Sequence, residues 1–296
     1  MPFDGITVSS AVSELNTAIL NGRVEKIYQP EKDEITFNIR NNKSNYRLLI
    51  SASPMYPKIH LTEDNKSNPI NAPAFCMLLR KHLTGSRIIS IKQPSLERVI
   101  EINFDCIDEM GYSIEKSIIA EVMGRHSNII FIDSQGMNII DSIRRVSNDM
   151  SSIRTIMPGL KYVYPPSDNK KDPLTICESE FLSDIHSLSA SIKADKYLVK
   201  AFYGISPIVA QEICFRARIE SDLDIKILNE EQLLCLFSEF HRLIEQIKSK
   251  DYKPNIIMDD SKNIDFSAIE LSVYNDFKKT YMDSISKTIE AFYSKR

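Results

Sequence analysis

The segment "GRHSN", near the middle of the chain, holds residue types that can bind an anion or carry a reaction, and an apolar run follows it. Gly124 permits a tight turn, and backbone amides around a glycine can cradle an anion. Arg125 and His126 can contact phosphate, and Ser127 and Asn128 can donate hydrogen bonds to a sugar or a base edge. Three interpretations stay open on this basis: an ordinary turn, an anion- or nucleic-acid-binding loop, and a catalytic site.

A catalytic site would need a partner for His126. The sequence contains no Gly-x-Ser-x-Gly elbow and no recognisable His–carboxylate arrangement. The five cysteines are odd in number and have no C-x-x-C spacing, which argues against a disulfide framework and against a zinc ribbon. We therefore expect no catalytic residue, no metal site and no cofactor.

Two further stretches hold candidate binding residues. Glu97 and Arg98 stand at the entrance of the strand-like run "ERVIEINF"; neighbours in a strand point to opposite faces, so the two need not pair, and a solvated strand entrance is the simpler interpretation. In "AFYGISPIVAQ", a short helix runs into Gly204, Ile205 and Ser206, and a proline then starts a second helix. This layout is typical of a helix-hairpin-helix, whose turn can present amides to a phosphate. Such hairpins also serve purely as packing units.

Composition limits the classes of protein to which the chain can belong. With 43% apolar and 26% charged residues, the sequence is typical of a globular protein and not of a disordered one. The formal net charge of −3 predicts no broad basic surface, so a nucleic-acid-binding region would be local. The start "MPFDGITVSS" lacks the basic and apolar regions of a secretory signal, and no window reaches the roughly 20 apolar residues of a membrane span. We expect a cytoplasmic protein without a membrane partner.

The elements that must position these residues can be read from the apolar spacing. Helical spacing predicts a first helix from Ser9 to Asn21. Nine short strand-like runs follow, and one compact helix, "APAFCMLLRKHLTG", interrupts them, with Pro73 in its first turn and Gly85 at its end. The first part of the chain is therefore expected to form a mainly antiparallel sheet with few helices.

The proline-rich segment "PGLKYVYPPSDNKKDP" is the best candidate for a domain boundary. Beyond it the pattern becomes helical. Asn229 with Gln232 predicts a capping box, and the apolar stripe that follows predicts a core-facing helix. An extended segment and a last helix from about Ser284 complete the chain.

Several stretches, taken together in their order and spacing, resemble one known family. They are "MPFDGI", "KIYQP", "LLISASPMYPKIHLT", "NPINAPAFCMLLRKHL", "ERVIEINF", "EVMGRHSNIIFID" and an R-x-I-M-P-G-x-x-Y motif from Arg154 to Tyr162. Each piece is weak alone, but the set covers essentially the whole chain. It resembles the N-terminal region of the NFACT family.

This resemblance implies an α+β fold. A mixed sheet domain like that of formamidopyrimidine-DNA glycosylases, over residues 1–168, would be followed by a helix-hairpin-helix domain over residues 174–252. Residues 253–296 would form an extended return segment and the start of a coiled-coil helix. Full-length members continue into a coiled coil and an RNA-binding domain, so the chain looks like a fragment with the first two domains.

The resemblance also implies a ribosome quality-control factor. Family members bind the large ribosomal subunit with an obstructed nascent chain and peptidyl-tRNA, and they recruit tRNA, alanine tRNA in bacteria, for C-terminal tailing. The ribosome forms the peptide bonds, so no enzyme activity is expected. The family's Asp-Arg motif, implicated in tRNA binding, falls on Glu97 and Arg98, with Glu in place of Asp. The family's Gly-Arg-His-Ser-Asn motif falls on residues 124–128 without departure, which favours an RNA-facing or site-shaping loop over a chance turn. The resemblance implies tRNA contacts by Arg125, His126, Ser127 and Asn128, with Gly124 shaping the loop.

Two alternatives remain. A DNA glycosylase-like enzyme would use Pro2 as its nucleophile, but Phe3 follows it and no four-cysteine zinc finger is present. A surface adhesin that binds fibronectin is a role attached to the family name. The absence of a secretion signal from the N-terminal sequence and the free cysteines disfavour it.

Overall fold

Nine strands in the first part of the chain form one antiparallel sheet. The computed structural model describes residues 3–151, 153–166, 169–260 and 262–294. All nine predicted strands are confirmed, because each run has the apolar and β-branched residues that pack on a pleated surface. They are β1 (Arg23–Glu31), β2 (Glu34–Asn41), β3 (Ser44–Ser51), β4 (Lys58–Leu61), β5 (Arg87–Lys92), β6 (Val99–Ile107), β7 (Ser113–Glu121), β8 (Asn128–Asp133) and β9 (Asn138–Ser142).

The strand order shows that two meanders join in the middle of the sheet. The order is β4-β3-β2-β1-β5-β6-β7-β8-β9, so every neighbouring pair except β1 and β5 is consecutive in sequence. β1 and β5 pair only at Arg23 and Arg87. Beyond this point a helix supplies a partner for β1, because Arg80 Nε donates to the carbonyl of Ile27 at 2.7 Å.

The first helix, α1 (Gly5–Ile19), begins before the predicted Ser9. Asp4 explains the earlier start, because its carboxylate accepts the backbone N–H of Thr7 at 2.9 Å and so caps the helix.

Helix α2 (Ala74–Leu83) lies where the sequence predicts it. Pro73 is its N-cap residue and not a residue of its first turn, which corrects the prediction by one position. Gly85 has a φ of +85°, just after the last turn, and this left-handed conformation ends the helix as expected.

The core beneath the end of β7 and β8 is built from aliphatic side chains and one tyrosine. Burying each large aliphatic side chain contributes about 1.5–3 kcal/mol, so this cluster gives the candidate site described below a rigid support. Its buried members are Val99, Ile119, Ile130, Ile132, Ile139, Ile156 and Tyr162.

The second part of the chain, in its described residues, begins with four α-helices, continues with a small antiparallel sheet and ends with a last helix. The capping box at Asn229 and Gln232 is present, and the predicted apolar stripe is buried, so both predictions for α6 are confirmed. A last helix begins after Ser284, also as predicted. The elements are α3 (Glu178–His186), α4 (Ala194–Ala201), α5 (Pro207–Arg216), α6 (Glu230–Lys248), β10 (Asn255–Asp259), β11 (Lys262–Ser267), β12 (Lys278–Tyr281) and α7 (Ile285–Tyr293).

The chain divides into two compact units. The sheet unit consists of Ala11–Pro94 and Arg98–Pro166, and the helical unit consists of Met1–Ser10, Ser95–Glu97 and Ser167–Arg296. The division after Pro166 falls inside the predicted proline-rich boundary. The sequence did not predict that Met1–Ser10 and Ser95–Glu97 belong to the helical unit. Their place in this unit follows from contacts with residues far away in the sequence. No helix in the described part of the chain is both long and apolar enough to cross a bilayer.

Candidate functional site

The GRHSN loop is a tight turn that its own side chains close. Gly124 has a φ of +61°, a conformation that favours glycine. The backbone N–H of Met123 donates to Ser127 Oγ at 2.8 Å, and the N–H of Ser127 donates to the Gly124 carbonyl at 2.9 Å. Ser127 is 1% exposed. Its hydroxyl therefore holds the turn together.

Asn128 anchors the loop to the chain after β9. Its Nδ2 donates to the carbonyl of Arg144 at 2.8 Å, and its Oδ1 accepts the N–H of Arg144 at 3.2 Å. The side chain is buried. Ser127 and Asn128, predicted to contact tRNA, are thus placed where they shape the loop, and their hydrogen-bonding groups are engaged inside the protein.

Arg144, which the sequence reasoning did not single out, braces the same loop. Its guanidinium donates to the carbonyls of Arg125 at 3.2 Å, Ser127 at 3.3 Å and Ala52 at 3.2 Å. All three acceptors are neutral, so these bonds orient the positive charge without cancelling it.

Arg125 and His126 are the members of the motif that face solvent. Both side chains are exposed. Arg125 Nε donates to His126 Nε2 at 3.0 Å, which sets the two side chains beside each other. They are the groups of the loop that a ligand can reach.

Arg98 and the loop line one cleft, which we call the arginine cleft. Its volume is about 450 Å³. Arg98 lies immediately before β6, and its carbonyl accepts the N–H of Val122 at 3.0 Å. Glu97 is not among the lining residues and belongs to the helical unit. The lining residues are Arg98, Met123, Arg125, His126, Ser127, Asn128, Arg144, Val146, Met150, Ser151, Ile153, Arg154, Ile156, Pro165 and Pro166.

A buried carboxylate holds Arg154 in the cleft wall. Glu121, at the end of β7, accepts Arg154 at 2.5 Å through Oε2 and the Tyr162 hydroxyl at 2.9 Å through Oε1. Arg154 also donates to the Val163 carbonyl at 2.9 Å. Burial opposes the charge of Arg154, but the bond and the attraction of Glu121 outweigh it and raise the pKa of this guanidinium. Burial, and then Glu121, raise the pKa of Tyr162.

The arrangement provides positive charge, hydrogen-bond donors and an apolar floor. Guanidinium groups bind phosphate, and apolar side chains accept a base or a ribose face, so the cleft has the chemistry of a site for flexible RNA. Within the described residues, no group of three or more His, Cys, Asp or Glu side chains could hold a metal ion.

The α4–α5 turn, which the sequence offers as a possible phosphate-binding hairpin, makes close contacts within the helical unit. Ser206 Oγ donates to the Asp4 carboxylate at 2.7 Å. Ile205 is buried, and the Gly204 carbonyl accepts the N–H of Gly5 at 3.2 Å. The Asp4 carboxyl group therefore already contacts the start of α5.

Glycine is required in this turn by close backbone packing. Gly204 has a φ of +70°, and a Cβ atom at this position would lie 2.2 Å from the carbonyl oxygen of Leu96. A Cβ atom at Gly5 would lie 2.1 Å from the same oxygen. Gly204, Ile205 and Ser206 therefore form a packing junction, and phosphate binding at this turn stays a prediction.

Part of the missed site had a signal in the sequence. Arg154 and Tyr162 begin and end the R-x-I-M-P-G-x-x-Y motif, and Glu121 opens the stretch that contains GRHSN. An acid and an arginine 33 positions apart do not indicate an ion pair until the fold brings them together. Nothing local to "SIRRVS" marks Arg144. Pro2, on which the glycosylase interpretation depended, lies outside the described residues.

The fold and the cleft define an α+β protein with a local, arginine-lined cleft. The chain belongs to the NFACT family, because the model of the NFACT N-terminal and middle domains matches residues 4–296. This confirms the resemblance. The family description names N-terminal and middle domains and does not mention a helix-hairpin-helix. The assignment of residues 174–252 to a helix-hairpin-helix domain therefore stays a prediction.

Relatives with known names are similar over nearly the whole chain. The Rqc2 homolog RqcH of Bacillus subtilis (strain 168) is 36% identical over 293 residues, which cover 99% of this chain and 49% of that protein. The ribosome quality control complex subunit NEMF of Homo sapiens is 22% identical over 314 residues, covering 99% and 28%. The chain spans about half the length of the first of these relatives and less of the second.

Solved structures confirm the α+β fold. The fibrinogen binding protein from Staphylococcus aureus has 30% sequence identity and a TM-score of 0.82, and the match covers 99% of both chains. The N-terminal part of the fibronectin/fibrinogen-binding protein from Streptococcus suis has 28% identity and a TM-score of 0.82, covering 99% of this chain and 100% of that one.

Proposed function

We propose that this chain is the tRNA-binding N-terminal part of a ribosome-associated quality-control factor. The factor would act on large ribosomal subunits with an obstructed nascent chain and recruit alanine tRNA for C-terminal tailing. The observation that supports the proposal most is the convergence of Arg98 and the GRHSN loop on one cleft. The names of the relatives, which contain Rqc2 homolog and ribosome quality control complex subunit, support the biological role.

The roles that we propose for the residues of the loop follow from the solvent exposure of their side chains. Arg125 and His126 face solvent and would contact phosphate, while Ser127, Asn128 and Gly124 would hold the loop in shape. Arg98 would contact the RNA from its position immediately before β6, and Glu97 would orient or tune it. Unpaired RNA fits such a site better than a duplex, because its bases are free to lie on apolar side chains.

The proposed activity is binding, and not catalysis. In the family's reaction the ribosome forms the peptide bonds, so the chain needs only to select and orient tRNA. The buried Ser127 hydroxyl accepts a backbone N–H within the turn, and this role differs from that of a nucleophile. A cytoplasmic location follows from a ribosomal partner.

The test measures affinity for purified alanine tRNA and sedimentation with large subunits that carry peptidyl-tRNA. Arg98→Ala and Arg125→Ala should each weaken tRNA binding about tenfold, the loss expected for one guanidinium contact. Arg40→Ala is the matched control, because Arg40 is exposed, belongs to the sheet unit and bonds to Asn45 on the neighbouring strand. Equal losses in all three variants would indicate a general charge effect and contradict a specific cleft.

Fibronectin binding is the second candidate, because a solved relative carries that activity in its name. The same variants distinguish the two functions. Immobilised fibronectin should not capture the wild-type chain at protein concentrations at which binding to tRNA is saturated. Capture of fibronectin with no affinity for tRNA or for large subunits would replace the proposed function.

A further inference from the structure

Glu121 lies behind the arginine cleft and is fully buried. Its side chain has 0% exposure, and that of Arg154 has 15%. A buried charge is costly unless it is paired and hydrogen-bonded. Both carboxylate oxygens of Glu121 have partners, Arg154 at 2.5 Å and Tyr162 at 2.9 Å. Both hydrogen bonds therefore compensate the burial of the carboxylate.

This carboxylate fixes the orientation of Arg154. One terminal nitrogen of the guanidinium bonds to Glu121 and the other to the Val163 carbonyl, while the group lies over the Tyr162 ring at 5.7 Å from its centre. A planar guanidinium held at both ends has little freedom to turn. Its accessible face is part of the cleft wall.

Arg154 lies in the segment between Val146 and Ile156, which has exposed apolar side chains in its middle. Val146 and Ile156 exchange two backbone hydrogen bonds, of 2.9 and 2.8 Å, at the base of the segment. Between them, Met150 is 67% exposed and Ile153 is 75% exposed. Arg154 thus ties an exposed segment to the core of the sheet unit.

We propose that Glu121 is a positioning residue for RNA binding, which acts through Arg154 and Tyr162 to fix the cleft wall. This inference rests on the proposed function and deepens it. Because Glu121 cancels the charge of Arg154, phosphate should bind near Arg125 and Arg144. The neutral base or ribose should lie on the Arg154 wall.

The helical unit offers a matched control. Glu212 is also fully buried and accepts Arg216 at 2.6 Å, and these side chains have the same exposures, 0% and 15%, as the first pair. Glu212 accepts the N–H of Val273, and Arg216 donates to the Glu270 carbonyl. This pair does not line the arginine cleft. Its loss should destabilise the protein to a similar degree without altering the cleft.

The experiment compares Glu121→Gln with Glu212→Gln in the whole chain. Affinity for purified alanine tRNA and hydrogen exchange of the Val146 and Ile156 amides are measured for both variants. Glu121→Gln should weaken tRNA binding about tenfold and speed exchange at these two amides. Glu212→Gln should change neither. If Glu121→Gln does not fold, Arg154→Lys replaces it, because lysine keeps the charge but cannot hold Glu121 and Val163 in one plane.

Each outcome has a definite meaning. Wild-type affinity in Glu121→Gln, or an equal loss in Glu212→Gln, overturns the positioning role while the proposed function stands. Absence of tRNA binding by the wild-type chain removes the proposed function and the RNA-positioning claim with it. Hydrogen exchange of the Val146 and Ile156 amides would then show separately whether Glu121 stabilises the segment that carries Arg154.

Discussion

Replacement of Gly204 by alanine tests the packing junction of the helical unit. The backbone at Gly204 has a φ of +70°, and an alanine in this left-handed region costs about 1–2 kcal/mol. The new Cβ would lie 2.2 Å from the Leu96 oxygen and 2.6 Å from the Leu96 Cβ, so the backbone must move. Overpacking of this kind costs about 1–3 kcal/mol. The free energy of unfolding should fall by about 2–5 kcal/mol.

Gly85→Ala separates the two contributions. Gly85 has a φ of +85°, and a Cβ atom there would meet nothing within 4 Å. This variant should lose only the backbone term, about 1–2 kcal/mol. Urea denaturation of both variants gives the difference, and tRNA affinity is measured on the folded protein. Equal losses of stability would refute the close approach to Leu96. A Gly204→Ala variant with normal stability but weaker tRNA binding would favour the interpretation of this turn as a phosphate-binding hairpin.

Three other predictions concern stability and the loop. Burial lowers the pKa of His60 to about 3, from an ordinary 6.5; the unfolded chain therefore binds more protons between these pH values. Stability should fall by about 2 kcal/mol from pH 6.5 to pH 5, and urea titrations should show His60→Gln losing this dependence. Gly124→Val should cost about 1–3 kcal/mol, because a β-branched residue resists a φ of +61°, and thermal unfolding would detect it; an unchanged midpoint would contradict the strain. Glu97→Asp should keep wild-type affinity for alanine tRNA in the same binding assay, because the family itself carries Asp there, and a marked loss would show that the longer acid is required.

The elements of the fold were predictable because their signals are local. Each strand of the large sheet is a short apolar run between turn residues, and the stripe and capping box of α6 lie within one helix. The exact ends of a helix depend also on capping contacts, which the apolar spacing does not contain. The early start of α1 depends on Asp4, whose capping bond to Thr7 is local but adds nothing to the apolar spacing.

The candidate site was only partly predictable because its contacts join distant segments. GRHSN identified the loop, but the burial of Asn128 follows from its bonds to Arg144 across two strands. The bond between Asp4 and Ser206 joins residues 202 positions apart. Such pairs depend on how the elements pack and not on spacing along the chain. The residue types alone therefore could not distinguish a binding role from a packing role.

The bond from Arg80 to Ile27 has a consequence for how the protein avoids aggregation. Since β1 pairs with β5 only at Arg23, the remainder of that edge would otherwise expose backbone groups in the middle of a large sheet. An unpaired edge is a template for a strand from another molecule. Arg80 fills the acceptor at Ile27 and brings a positive charge, which an incoming strand would have to displace. Cys76 Sγ, also from α2, lies 3.7 Å from the same oxygen, so side chains of this helix make the acceptor at Ile27 unavailable to an incoming strand.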